Sequence, residues 1–113
     1  METIDFNGLD TAVHGPIRLG ILTTLQVNGP RDFTALKLTL AATDGALGAH
    51  LQKLEEAGYI RCKKAFVARR PKSTYTITSA GRNALLKYID TLQEIVDLVR
   101  RVGATLGSGE KRE

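Results

Sequence analysis

Residues 43 to 78, TDGALGAHLQKLEEAGYIRCKKAFVARRPKSTYTIT, switch from a helical to an alternating hydrophobic period within a few positions, and that switch constrains the fold more than any other feature. In the first part Leu47, Leu51 and Leu54 fall at the i, i+4, i+7 spacing that turns one helix face toward a core, with Gly58 a turn further on. Thr43 supplies a capping hydroxyl and Asp44 a first-turn carboxylate, and Gly58 stands where helices commonly stop in a left-handed conformation. After Gly58 the period becomes two. Ile60 and Cys62 alternate with Arg61 and Lys63, and Tyr75 and Ile77 alternate with Thr74, Thr76 and Thr78, which predicts two half-buried strands. Arg69, Arg70, Pro71 and Lys72 between them read as a loop too charged to bury and too long for a two-residue turn, projecting into solvent.

Charge is distributed unevenly around this unit. Residues 1–58 carry Glu2, Asp5, Asp10, Asp32, Asp44, Glu55 and Glu56 against only Arg18, Arg31, Lys37 and Lys53. Residues 59–82 carry Arg61, Lys63, Lys64, Arg69, Arg70, Lys72 and Arg82 with no Asp or Glu. The net charge of +4 is therefore concentrated on the ribbon. Lysines also protect exposed edge strands from aggregation, but seven unopposed cations exceed that need and predict a polyanionic partner.

The rest of the chain fits helices around this centre. Leu9, Ala12 and Val13 are compatible with a short helix ending at Gly15. Pro16 opens a stronger one, with Ile17, Ile21, Leu22 and Leu25 on one face and Asn28-Gly29-Pro30 as its stop. A brief helix follows, anchored by Phe33, capped by Thr34 and carrying Leu36 and Leu40, and Ala41-Ala42 form the turn before the central helix. After the ribbon, Thr78 or Ser79 caps a last helix in which Leu85, Ile89, Leu92, Val96 and Val99 are spaced by four and three alternately, with Tyr88, Ile95 and Val102 widening the stripe. From Ala80 to Arg101 it would span about 33 Å, more than a domain this small can cover. Leu85, Tyr88, Ile89, Leu92, Ile95, Val96 and Val99 are accordingly expected to pair two copies.

Several chemistries lack their residues. His14 and His50 are the only histidines and Cys62 the only thiol, no Gly-rich phosphate loop follows a strand, and no acid, base and nucleophile converge, so neither enzyme activity, a metal nor a cofactor is expected. No run of about 18 apolar residues occurs and the first residues have no secretory pattern, so the expectation is a cytoplasmic protein away from membranes.

The strings LGAHLQKLEEAGYI at 47–60 and RRPKSTYTITSAGR at 69–82 resemble the winged helix-turn-helix of MarR and ArsR type transcriptional regulators, closest to their small single-domain branch, over roughly residues 9–90. The resemblance implies an α+β, mainly α fold: a three-helix core, a β-hairpin wing and a long C-terminal dimerisation helix. In this reading residues 1–102 form one domain, with the helix-turn-helix at about 34–58, the wing at about 59–78, the last helix at about 79–102, and 103–113 as a disordered tail. The implied function is binding of double-stranded DNA, an inverted repeat, by a homodimer.

With the three leucines inward, Gly45, Ala49 and Gln52 point outward from the central helix, flanked by Ala46, Gly48 and Lys53. Thr43 and His50, at the helix start and flank, can reach phosphates, as can Lys63, Lys64, Arg69, Arg70 and Lys72 on the wing. The resembled family often carries a hydroxyl and a basic side chain where Gly48 and Ala49 stand, and a glycine where Ala41 stands. Direct base readout should be sparse and centred on Gln52, the outward residue suited to bidentate recognition of adenine. The main alternative is a winged-helix interaction module docking an acidic protein, with RNA binding a third reading. Nothing in the sequence supports a small-molecule effector.

Overall fold

The computed structural model describes residues 3–110, of which 105–110 as backbone only. The apolar helix faces of the sequence meet in one cluster. Helix α1 (Pro16–Asn28) contributes Ile21, Leu22 and Leu25, α2 (Phe33–Leu40) contributes Leu36, and α3 (Asp44–Glu56) contributes Leu47, Leu51 and Leu54. The three α3 leucines are at most 1% exposed, so truncating any of them to Ala would remove about 2 to 5 kcal/mol.

Three antiparallel strands close the core from one side in the order β1 (Arg31–Asp32), β3 (Arg70–Ile77), β2 (Ile60–Val67). Ile60, Tyr75 and Ile77 face the cluster, as their alternation requires. Burial, and then the Cys62 thiol beside it, pushes the Tyr75 phenol up to about 12, so it stays neutral in the core. Strand β1 is absent from the sequence expectation: it is two residues long, and its register, Arg31 on Tyr75 and Asp32 on Thr74, is a non-local pairing.

The ribbon closes differently from the expected long loop. Ala68 and Arg69 form a two-residue turn with φ of 53° and 66°, the double left-handed conformation of a type I′ hairpin. Arg70, Pro71 and Lys72 are strand residues in register with Val67, Phe66 and Ala65. Pro71 is tolerated there because β1 pairs only with Thr74 and Tyr75, leaving this part of β3 with a free edge.

The N-terminal segment departs from the expected helix at 9–15. It holds a 3-10 turn at Phe6–Gly8 and then a turn organised by Asp10, whose carboxylate accepts from the Ala12 N–H at 2.8 Å and whose carbonyl accepts from Val13 and His14. An Asp bonding the backbone two residues ahead competes with helix formation, and Gly15-Pro16 restarts the chain.

Helix α4 (Ser79–Glu110) is capped by Thr78, whose hydroxyl accepts from the Gly81 N–H at 3.0 Å. A Cβ at Gly81 would lie 2.1 Å from the Tyr59 carbonyl oxygen, so only glycine lets the helix root sit against the end of the α3–β2 junction. The helix continues through the glycines expected to end it at about 102. Glycine lowers helix propensity by about 1 kcal/mol per residue, but no proline interrupts a helix already nucleated. Residues 111–113 of the expected tail lie outside the described residues. The molecule is elongated, 66 × 30 × 22 Å, as a 32-residue helix of about 48 Å requires.

Leu85 and Tyr88, expected in a seam between copies, are each only 3% exposed and belong to the protomer's own cluster. The N-terminal segment packs on this part of α4 at Tyr88 and Thr91. Gly8 packs so closely on Thr91 that an added Cβ would meet its hydroxyl at 2.2 Å, Val13 is fully buried, and His14 Nδ1 hydrogen-bonds the Tyr88 hydroxyl at 2.7 Å.

Candidate nucleic-acid interface

Helix α3 is held by features legible in its residues. The Thr43 hydroxyl accepts from the Ala46 N–H at 3.1 Å, and Gly58 takes φ 79° just past the helix end. Before it, Ala41 adopts a left-handed φ of 51°, so an alanine performs the turn that glycine makes more cheaply. Lys37 of α2 pairs with Asp44 at 2.8 Å across that turn.

The outward face of α3 is small and open. Gly45, Ala49, Gln52 and Lys53 are exposed, with Ala46, Gly48 and His50 half-buried and Thr43 exposed at the cap. A Cβ placed on Gly45 or Gly48 would meet nothing within 4 Å, so among the described residues no packing demand explains either glycine. The Gln52 amide donates to the Glu56 carboxylate at 3.3 Å.

On the wing Lys63, Lys64, Arg69 and Arg70 are exposed and carry no acidic neighbour in sequence. Lys72 differs from them: its ammonium lies 3.4 Å from the Asp32 carboxylate. That carboxylate also caps α2, accepting from the Ala35 N–H at 2.7 Å, a role the sequence reading assigned to Thr34. The Ala35 N–H first, and Lys72 next, hold the Asp32 carboxyl below its ordinary 3.8. Asp32 therefore ties the helix-turn-helix to the ribbon, and its position three residues before Ala35 is the signal that could have identified it.

A second tie lies at the ribbon's base. The Tyr59 hydroxyl donates to the Asp10 carboxylate, which pushes the phenol up to about 12. The Thr78 hydroxyl donates to the Gly58 carbonyl at 2.7 Å, and the Thr78 N–H to that of Tyr59 at 3.0 Å. Sequence reasoning also missed Phe66, which stands on the wing with 77% of its surface exposed. Among the described residues no three His, Cys, Asp or Glu side chains group as a metal site, and no helix is long and apolar enough to cross a membrane.

Comparison with known proteins agrees with this geometry. The profile of a winged helix DNA-binding domain family matches residues 17–96. An uncharacterised protein of Methanocaldococcus jannaschii is 38% identical over 86 residues, covering 76% of this chain and 90% of that protein. Among solved structures, the transcriptional regulator homologue of Pyrococcus horikoshii superposes with a TM-score of 0.75 at 26% identity, over 82% of this chain and 93% of that one. An ArsR family transcriptional regulator superposes with a TM-score of 0.57 at 25% identity, over 81% and 90%.

Proposed function

The chain belongs to the winged helix DNA-binding domain family, and on that premise we propose that it is a transcriptional regulator that binds double-stranded DNA as a homodimer. In this reading α3 enters the major groove and the wing neutralises backbone phosphates. The observation that carries it is the pairing, on one fold, of an outward helix face with no internal packing duty and an exposed ribbon rich in unopposed cations. Small residues at Gly45, Ala46, Gly48 and Ala49 allow close approach of the α3 backbone to base edges, Gln52 offers a bidentate contact to adenine, and Thr43, His50 and Lys53 serve phosphates.

The distal part of α4 supports the two-fold assembly. Ile89, Val96, Val99 and Val102 are 43%, 39%, 62% and 49% exposed on a helix that projects from the domain, with Leu92 and Ile95 partly covered beside them. A symmetric pair buries this stripe from both chains and sets two α3 helices at a fixed distance. Such a dimer favours an inverted repeat with half-sites about 34 Å apart.

Two measurements test the reading. Duplex fragments selected by the purified protein should bind with a steep salt slope. Absence of salt-dependent duplex binding overturns the DNA assignment. Val96→Glu with Val99→Glu spares the protomer core and should yield a folded monomer, by circular dichroism and sedimentation, with weakened binding to the full repeat. An unmutated protein that sediments as a monomer at micromolar concentration and binds one half-site as well as two refutes the dimer alone.

A further inference from the structure

Phe66 is largely uncovered by the described residues. It lies on β2 four residues beyond Cys62, the last residue of that strand with cover from the body of the molecule, and so stands roughly 13 Å farther out along the ribbon. Its side chain is 77% exposed and that of neighbouring Val67 is 52% exposed. Alternation and register place Phe66 on the ribbon face that carries Ile60 and Cys62, opposite Pro71, and place Val67 on the other face opposite Arg70. A bare aromatic on a free ribbon invites edge association. The charged residues near it are cations: Lys64 two residues back on the same face, Arg69 in the turn, and Arg70 beside Pro71 on the other face.

An apolar side chain flanked by positive charge on a projecting ribbon matches a surface that is anionic at its rim and less polar within. A nucleic-acid groove has that profile, with phosphates outside and sugars and base edges inside. The two-residue turn leaves only Ala68 and Arg69 beyond the paired strands, so Phe66 stands close to the end of a short, paired tip. A flexible four-residue loop would be broader and would not hold Phe66 in a set direction.

We propose that Phe66, braced by Pro71 across the ribbon, is an apolar wedge that enters the minor groove and partly unstacks a base step, while Arg69 and Arg70 hold the flanking phosphates. The inference rests on the DNA-binding reading above and adds a source of specificity to it. Pyrimidine–purine steps deform most easily, so the wedge selects them at positions that α3 does not touch.

The test uses the full-length protein and a duplex selected from random fragments, with 2-aminopurine placed at successive adenines flanking the α3 footprint. The unmutated protein should raise the fluorescence at one step on the wing side. Phe66→Ala should abolish that rise and weaken binding about tenfold, with the salt slope and the thermal midpoint unchanged. Phe66→Leu should restore part of both signals. If Phe66→Ala keeps the fluorescence and affinity of the unmutated protein, the wedge is refuted and DNA binding stands. If the substitution changes sedimentation but not the DNA signal, the tip joins copies of the chain and the wedge is likewise refuted. If the unmutated protein binds no duplex at low salt, the parent reading fails and the wedge with it.

Discussion

Helix α3 and the wing are neighbours in sequence, yet they are built on opposite terms. The helix buries Leu47, Leu51 and Leu54 almost completely and leaves on its outward face small Gly and Ala residues with Gln52 and Lys53. The ribbon buries only its root, at Ile60, Tyr75 and Ile77, and carries Lys63, Lys64, Arg69, Arg70 and Phe66 exposed. One element is rigid and nearly neutral, the other exposed and charged. The difference teaches that positioning and attraction need not reside in the same residues: a neutral helix held by caps and leucines fixes register, while a basic ribbon supplies affinity that is indifferent to sequence.

The comparison breaks most readily at the wing. Arg69→Ala with Arg70→Ala should weaken binding to every duplex alike and lower the salt slope by about 0.9 for each lost phosphate contact, as titrations across ionic strength would measure. Unchanged affinity and slope would return the attraction to some other surface.

A smaller and more selective effect is expected on the helix. Gln52→Ala should cost about 1 to 3 kcal/mol at a single base pair of a selected site and leave the salt slope alone. A uniform loss across all sequences would make Gln52 a phosphate or packing residue.

The smallest effect concerns Asp32, where the two regions meet. Asp32→Ala should lower thermal stability by about 1 kcal/mol at neutral pH through loss of the α2 cap, while Asp32→Asn, which can still cap, should lose much less. The folded protein holds this carboxyl below its ordinary 3.8, so its contribution is fully present above that value and is lost as pH falls through the folded one. The gap between the unmutated protein and Asp32→Ala should therefore close in acid. Both variants release Lys72 and should bind duplex DNA slightly more tightly at low salt. A gap that persists in acid, or no gain in affinity, would separate the cap from the ion pair.

How much of this was legible follows from how local each determinant is. The leucine spacing of α3, the Thr43 cap, the Gly58 stop and the alternation at Ile60, Cys62, Tyr75 and Ile77 depend on neighbours within a few residues, and the structure keeps all of them. The hairpin turn was opaque because Ala68-Arg69 has neither the Asn nor the Gly that marks a type I′ turn; strand pairing imposes the conformation. Strand β1 and the covering of Tyr88 are contacts between distant parts of the chain, Arg31 with Tyr75 and His14 with Tyr88, and no period reports them. The candidate site divides the same way. Its cations were visible in composition, whereas the Lys72–Asp32 pair and the isolation of Phe66 depend on strand register.

The seat of Gly81 against the Tyr59 carbonyl gives α4 a mechanical property beyond its apolar stripe. With that close approach, and with Thr78 bonded to both Gly58 and Tyr59, there is no hinge where the long helix joins the end of α3 and the root of the wing. The helix is then an arm clamped at one end. Over its length of about 48 Å a swing of about 5° amounts to about 4 Å of travel at the far end, and a clamped arm passes that rotation to α3 and the wing together instead of absorbing it in a loop.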